Sequence, residues 1–222
     1  VYAIAESPKN ADILWVGTDD GNLQVSADGG TSWSNVAGNI PGLPPHTWVA
    51  QIETGRFDAQ TAFVAFDGHR SGDTKTYVYK TTDLGKTWTP IAGKQVEGYA
   101  FCIRQDLVNP DLLFLGTEYG LYVSVDGGAN WGRFSANLPK VAVHDLVIHP
   151  RDHALVIATH GRGIAILDDI TPLRQLNAEV LRKPFHFFEP RTVMLRDAGA
   201  ASGWFGGSGN FVGPNPSSAA QI

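Results

Sequence analysis

The sequence predicts an all-β chain, a β-propeller of four-stranded antiparallel blades, with about four blades present. Three observations carry this. An eight-residue motif recurs, its aspartates Asp28, Asp83 and Asp126 standing 55 and 43 residues apart. Each interval holds short apolar runs separated by turn formers. The composition has 25 Gly and 13 Pro but only 18% charged residues, which suits short strands and turns rather than long helices. A repeat in the forties with strand-like runs inside it is what a four-stranded blade requires.

The elements follow in order. Residues 1–7 read as the middle of a strand, and 13–17 and 22–26 precede the first motif. The second unit supplies strands at 49–53, 62–66, 76–81 and 88–91. The third supplies 100–105, 112–116, 120–125 and 131–134. The fourth supplies 145–149, 155–158 and 163–167, then a decayed motif: Asp169 falls where Asp126 stood, while Thr171 and Arg174 replace the Gly and the Trp. Alternation is imperfect, as expected of strands buried on both faces. The propeller is expected over 1–176 and a linker over 177–222. Within that linker 198–213 is rich in Gly, Ala and Ser, with Trp204, Phe205 and Phe211 arguing against pure disorder and available for docking or for a ligand.

The motif itself reads as a hairpin between the third and fourth strands. Its members are Ser26, Asp28, Gly30 and Trp33; Thr81, Asp83, Gly85 and Trp88; Ser124, Asp126, Gly128 and Trp131. The carboxylate can accept bonds from the N–H groups of its own turn and from neighbouring hydroxyls. The Gly permits a positive φ, and the Trp is expected to bury itself between blades. A structural role is therefore preferred to calcium binding, whose EF-hand ligand pattern is absent.

These residues resemble the Asp-box, or BNR, repeat of sialidases, sortilin-type receptors and related propellers. The runs Ala158-Thr159-His160-Gly161-Arg162-Gly163 and Leu167-Asp168-Asp169-Ile170-Thr171-Pro172-Leu173 resemble the last blade of bacterial sortilin-like, glycosyl-hydrolase-like BNR-repeat proteins. The resemblance covers about residues 1–176. It implies an extracellular or periplasmic setting, a β-sandwich domain beyond Gly213-Pro214-Asn215-Pro216, and motifs on the face away from any active site. Because closed propellers have more repeats or reach four only with special blades, the remaining blades are expected upstream in the parent chain.

Connectivity assigns the ligand-facing side. Loops alternate between two faces in a four-stranded meander, so the face opposite the motifs receives the loops joining second to third strands. These carry Asp19 and Asp20; Asp67, His69, Arg70 and Asp73; Glu118 and Tyr119; His160 and Arg162. Inter-blade crossings are expected to place Trp48, Tyr99 and His144 at equivalent positions near the channel mouth, with His46 and Asp145 close by.

The net charge of -5 and the lack of a basic stripe argue against nucleic acid. No apolar run approaches the ~20 residues of a membrane span, and neither a metal site nor a cofactor is indicated. Cys102, the one cysteine, reads as a small buried hydrophobe. The leading expectation is a non-catalytic binding or scaffold propeller that takes a protein, peptide or glycan ligand. The alternative is a glycoside hydrolase, which needs two carboxylates roughly 5–9.5 Å apart; Asp19, Asp20, Asp67, Asp73, Glu118 and Asp145 are available, but no motif identifies catalytic residues. A sialidase could draw on Arg70, Arg104 and Arg162 with Tyr99 or Tyr119, yet the Arg-Ile-Pro signature is absent. Similarity to two-propeller xyloglucan-cleaving enzymes is confined to the repeat. A third reading is an assembly factor of the kind that helps build photosynthetic complexes.

Overall fold

The computed structural model describes residues 1–192. The expected linker over 198–213 and its aromatics Trp204, Phe205 and Phe211 lie outside the described residues. Four antiparallel meanders account for nearly all regular structure. The first blade is β1 (Ala3–Ser7), β2 (Asn10–Gly17), β3 (Leu23–Ser26) and β4 (Ser34–Asn35). The second is β5 (Trp48–Thr54), β6 (Ala62–Asp67), β7 (Tyr77–Thr81) and β8 (Thr89–Pro90). The third is β9 (Ala100–Gln105), β10 (Leu113–Thr117), β11 (Gly120–Ser124) and β12 (Gly132–Phe134). The fourth has β13 (Val143–Ile148), β14 (Leu155–Thr159) and β15 (Ile164–Leu167), and then a short helix α1 (Thr171–Gln175) in place of an outer strand. The innermost strands β1, β5, β9 and β13 stand side by side in that order, each the free edge of its sheet, and together they border a shared channel.

The core lies between blades. One apolar cluster joins the first blade to the second through Trp15, Val49, Phe66 and Trp88; another joins the second to the third through Phe63, Ile91, Ile103 and Trp131. A further cluster joins the third to the fourth through Phe114, Leu146, Leu155 and Ile170. Strands β6 and β10 are buried along their whole length, which is why their sequence runs apolar without alternation.

Each motif forms the same turn. In the first, the Ser26 hydroxyl donates to Asp28 Oδ1 at 2.8 Å and accepts the Gly30 N–H at 2.8 Å, while Asp28 Oδ2 accepts the Ser32 hydroxyl at 2.6 Å. Thr81, Asp83 and Thr87 repeat this arrangement, as do Ser124, Asp126 and Asn130. The hydrogen bond from Ser32 holds the Asp28 carboxyl down to about 2, and that from Thr87 does the same for Asp83.

Trp88 and Trp131 are buried against the preceding blade, Trp88 edge-on to Trp15 at 6.0 Å and Trp131 donating its indole N–H to the Ile91 carbonyl at 2.6 Å. Trp33 departs from the expected burial. It is 40% exposed, because no blade precedes its own among the described residues.

Gly85 shows how tightly successive blades meet. Its φ is +80°, and a Cβ there would stand 2.8 Å from Val36 of the first blade. Gly85→Ala combines left-handed strain with overpacking and is expected to cost about 2–4 kcal/mol. Thermal unfolding followed by circular dichroism checks this; a midpoint unchanged from wild type contradicts it.

The fourth blade corrects the expectation of a merely decayed motif. Pro172 in the first turn stabilises α1, and Arg174, at the position of the motif Trp, reaches back into the third blade as Trp131 reaches into the second. Its guanidinium grips the fully buried Asp106 bidentately, both contacts at 2.9 Å, and Asn109 bonds the Arg174 carbonyl. A third guanidinium nitrogen lies 2.8 Å from His153 Nδ1. Burial opposes charge on Asp106, but Arg174 and the Asn109 and Val108 N–H groups outweigh it and lower its pKa. Beyond α1, Gln175 exchanges two hydrogen bonds with the backbone of Glu189, while Phe185 and Phe187 remain exposed.

Candidate functional site

The second strand of each blade ends at the channel mouth, and register fixes which residues are equivalent there. Trp48 pairs with Asp67. The Tyr99 carbonyl accepts the Glu118 N–H at 3.1 Å, and the Ala142 carbonyl accepts that of His160 at 2.9 Å. Asp67, Glu118 and His160 are thus one set, and Trp48, Tyr99 and Ala142 another. His144 does not belong with Trp48 and Tyr99, contrary to the sequence reading. The innermost strands β5, β9 and β13 each carry a bulge at the same place, leaving Ala50, Phe101 and His144 outside the register. Bulges re-aim side chains next to functional surfaces. Here they bring Phe101 and His144 to the channel wall.

The result is a continuous ladder of rings across three blades. His69 stacks on Tyr99 with centroids 4.5 Å apart, Tyr99 meets Phe101 edge-on at 5.1 Å, Phe101 stacks on His144 at 4.0 Å, and His144 on His160 at 5.2 Å. At the other end Tyr2 meets Trp48 edge-on at 4.6 Å, and the Arg70 guanidinium lies 4.0 Å above the Trp48 ring. These groups line a cavity of about 750 Å³ together with Asp67, Glu118 and Asp145.

Polar groups at the wall are held by specific partners. Both Asp67 oxygens approach His69 Nδ1, at 2.7 and 2.6 Å, and Oδ1 also accepts the His69 N–H at 2.9 Å. Arg104 donates to Glu53 at 2.9 Å, to Asp145 at 3.1 Å and to the Leu146 carbonyl at 2.7 Å. Burial of Arg104 works against its charge, but Glu53 and Asp145 more than offset that and raise its pKa. Burial pushes the Tyr99 hydroxyl up to about 12, with Glu118 adding to the effect. Burial, reinforced by His160, lowers the His144 pKa from its ordinary value. The free edge of β9 is capped from the second blade: Gln51 accepts the Ile103 N–H at 2.7 Å and Glu53 that of Gln105 at 3.3 Å.

Of the sequence candidates, Trp48, Asp67, His69, Arg70, Tyr99, Glu118, His144 and His160 therefore converge. Others stand apart. Asp73 ties its own loop by accepting the Tyr77 hydroxyl at 2.7 Å. Tyr119 lies outside the cavity under Lys140, 4.4 Å from its ring. Arg162 is exposed on the β14–β15 turn and does not line the cavity, nor do Asp19, Asp20 and His46. Sequence reasoning missed Tyr2, Phe101 and Gln51 as site residues. Cys102 is buried as expected, and burial pushes its thiol up to about 12. Among the described residues no cluster of His, Cys, Asp or Glu is arranged to hold a metal ion, and no helix is long and apolar enough to cross a membrane.

Comparison with solved structures places the architecture. An ancestral GH74 enzyme superposes with a TM-score of 0.57 over 72% of this chain and 22% of its own, at 22% identity. The GH74 enzyme of Niastella koreensis gives 0.57 over 75% of this chain and 22% of its own, also at 22% identity. YCF48 bound to D1 peptide gives 0.53 over 75% of this chain and 50% of its own, at 15% identity. The fold is a β-propeller.

By sequence, the chain is 33% identical over 98 residues to an oligoxyloglucan-reducing end-specific xyloglucanase of Emericella nidulans, a match covering 42% of this chain. It is 28% identical over 165 residues to a probable enzyme of the same name from Neosartorya fischeri, covering 67% of this chain. The matches span 11% and 18% of those proteins' lengths. No family model matches the chain. The chain thus spans less than a fifth of the length of the curated relatives it matches.

Proposed function

We propose that the ring-lined wall of the channel binds a glycan, and that this chain is the ligand-binding part of an extracellular or periplasmic propeller protein. The observation that carries this is the ladder His69, Tyr99, Phe101, His144 and His160, running over three blades along one cavity. A sugar ring presents an apolar C–H face that packs on aromatic rings, while its hydroxyls need a few fixed polar partners. Asp67, Glu118 and His160, at equivalent blade positions, supply them. A peptide added as a strand is disfavoured here, because Gln51 and Glu53 already occupy the N–H groups that β9 would offer it.

Binding without turnover is the primary reading, since Asp67 is engaged by His69 and Asp145 by Arg104. Hydrolysis is the second. Glu118 and Asp145 come from successive blades to one cavity, and the sequence relatives are named as xyloglucanases. Titrating the protein with xyloglucan and other neutral oligosaccharides, following tryptophan fluorescence and new reducing ends, separates the two. Saturable quenching without new ends supports binding. New ends that disappear in Glu118→Gln establish hydrolysis instead, and an absence of saturable binding contradicts both.

A further inference from the structure

One guanidinium at the cavity stands without a polar partner among the described residues. Arg104 is held by Glu53 and Asp145, and Asp67 shares its oxygens with His69 Nδ1. Arg70 has no hydrogen bond or ion pair among the described residues. It is nevertheless held in place: one guanidinium face lies 4.0 Å above the Trp48 ring. Its backbone belongs to a single 3-10 turn, His69–Ser71, closed by Gly72 at φ 81° and by Gly68 accepting the Ser71 and Asp73 N–H groups. Stacking on an indole leaves the N–H edge of a guanidinium available, and that edge matches a carboxylate bidentately. Beside it, His69 has Nδ1 tied to Asp67, so Nε2 is the ring nitrogen without a protein partner.

We propose that Arg70, backed by Trp48 and flanked by His69, forms a carboxylate subsite, so that the glycan bound here carries uronic acid. This rests on the glycan reading above and narrows its ligand class. Glu118 is the opposing anion on the same cavity; it stands on the third blade beside Tyr99, where a sugar hydroxyl can donate to it. A carboxylated sugar satisfies both groups, with its carboxylate on Arg70 and the C–H face of its ring against Tyr99 and Phe101.

The test is calorimetric titration with uronate-containing and neutral oligosaccharides of equal length, at low and high salt. The acidic series is expected to bind about tenfold tighter, with an advantage that shrinks as salt screens the exposed guanidinium. Arg70→Gln should abolish that preference, and Arg70→Lys should restore only part of it, because an ammonium lacks the planar fork. Arg70 is exposed, so both variants are expected to fold, and circular dichroism verifies it. Equal affinity for the two series, or a preference that survives Arg70→Gln, overturns the subsite while the glycan reading stands. Binding of neither series overturns both. A glutamate-rich peptide that binds tighter than the uronates, with the same dependence on Arg70, overturns the uronate assignment in favour of a protein ligand.

Discussion

Asp106→Ala is expected to destabilise the fold strongly. Asp106 is wholly buried, and it takes both arms of the Arg174 guanidinium, itself 8% exposed, besides the N–H groups of Val108 and Asn109. Removing one partner of a buried pair strands the other charge away from water, at a cost of about 3–5 kcal/mol. For a domain of this size each kcal/mol lowers the unfolding midpoint by roughly 2–4 °C. The midpoint should therefore fall by about 6–20 °C, read by calorimetry. Arg174→Met should cost less, because Asp106 keeps two backbone donors and the aliphatic replacement still packs on the third blade. The double variant should fall well short of the sum of the two, since each single change already breaks the same pair. Additive losses would show that the latch between α1 and the third blade does not act as a unit.

The second large effect is on binding. Tyr99 sits in the middle of the wall, stacked on His69 and edge-on to Phe101, and only half-buried. Aromatic anchors at the centre of a contact surface commonly carry about 2 kcal/mol or more, which is roughly thirtyfold in affinity. Tyr99→Ala should weaken oligosaccharide binding by about that factor. Tyr99→Phe keeps the ring and loses only the hydroxyl beside Glu118, so most of the affinity should remain. Equal losses in the two variants would mean that the hydroxyl, rather than the ring face, makes the contact.

These two sites differ in how far the sequence discloses them. The repeated motif is legible because its chemistry is local: Ser26, Asp28, Gly30 and Ser32 bond one another within seven residues, and so do their counterparts. The dyad of Asp67 and His69 is legible for the same reason, both lying on one turn. The grip of Arg174 on Asp106 is not, because the partners are separated by 68 residues and the arginine occupies a place where the repeat leads one to expect a Trp. The bulges hid Phe101 from the sequence reading and set His144 beside the wrong equivalents. A bulge inserts one residue into the strand and shifts every later side chain to the other face, so two-residue alternation misplaces the wall. Trp33 misled in another way: its motif is intact, but burial of a motif Trp depends on a preceding blade.

The central claim is that ligand sits against the ring ladder on the channel side. The most direct test follows histidine imidazole and backbone resonances by NMR while the protein is titrated with neutral and uronate-containing oligosaccharides. The account predicts saturable shifts centred on His69, Tyr99, Phe101, His144 and His160. Shifts centred instead on the groove of about 510 Å³ near Lys80, Ile91 and Asp126, or no shifts with any oligosaccharide, would contradict it.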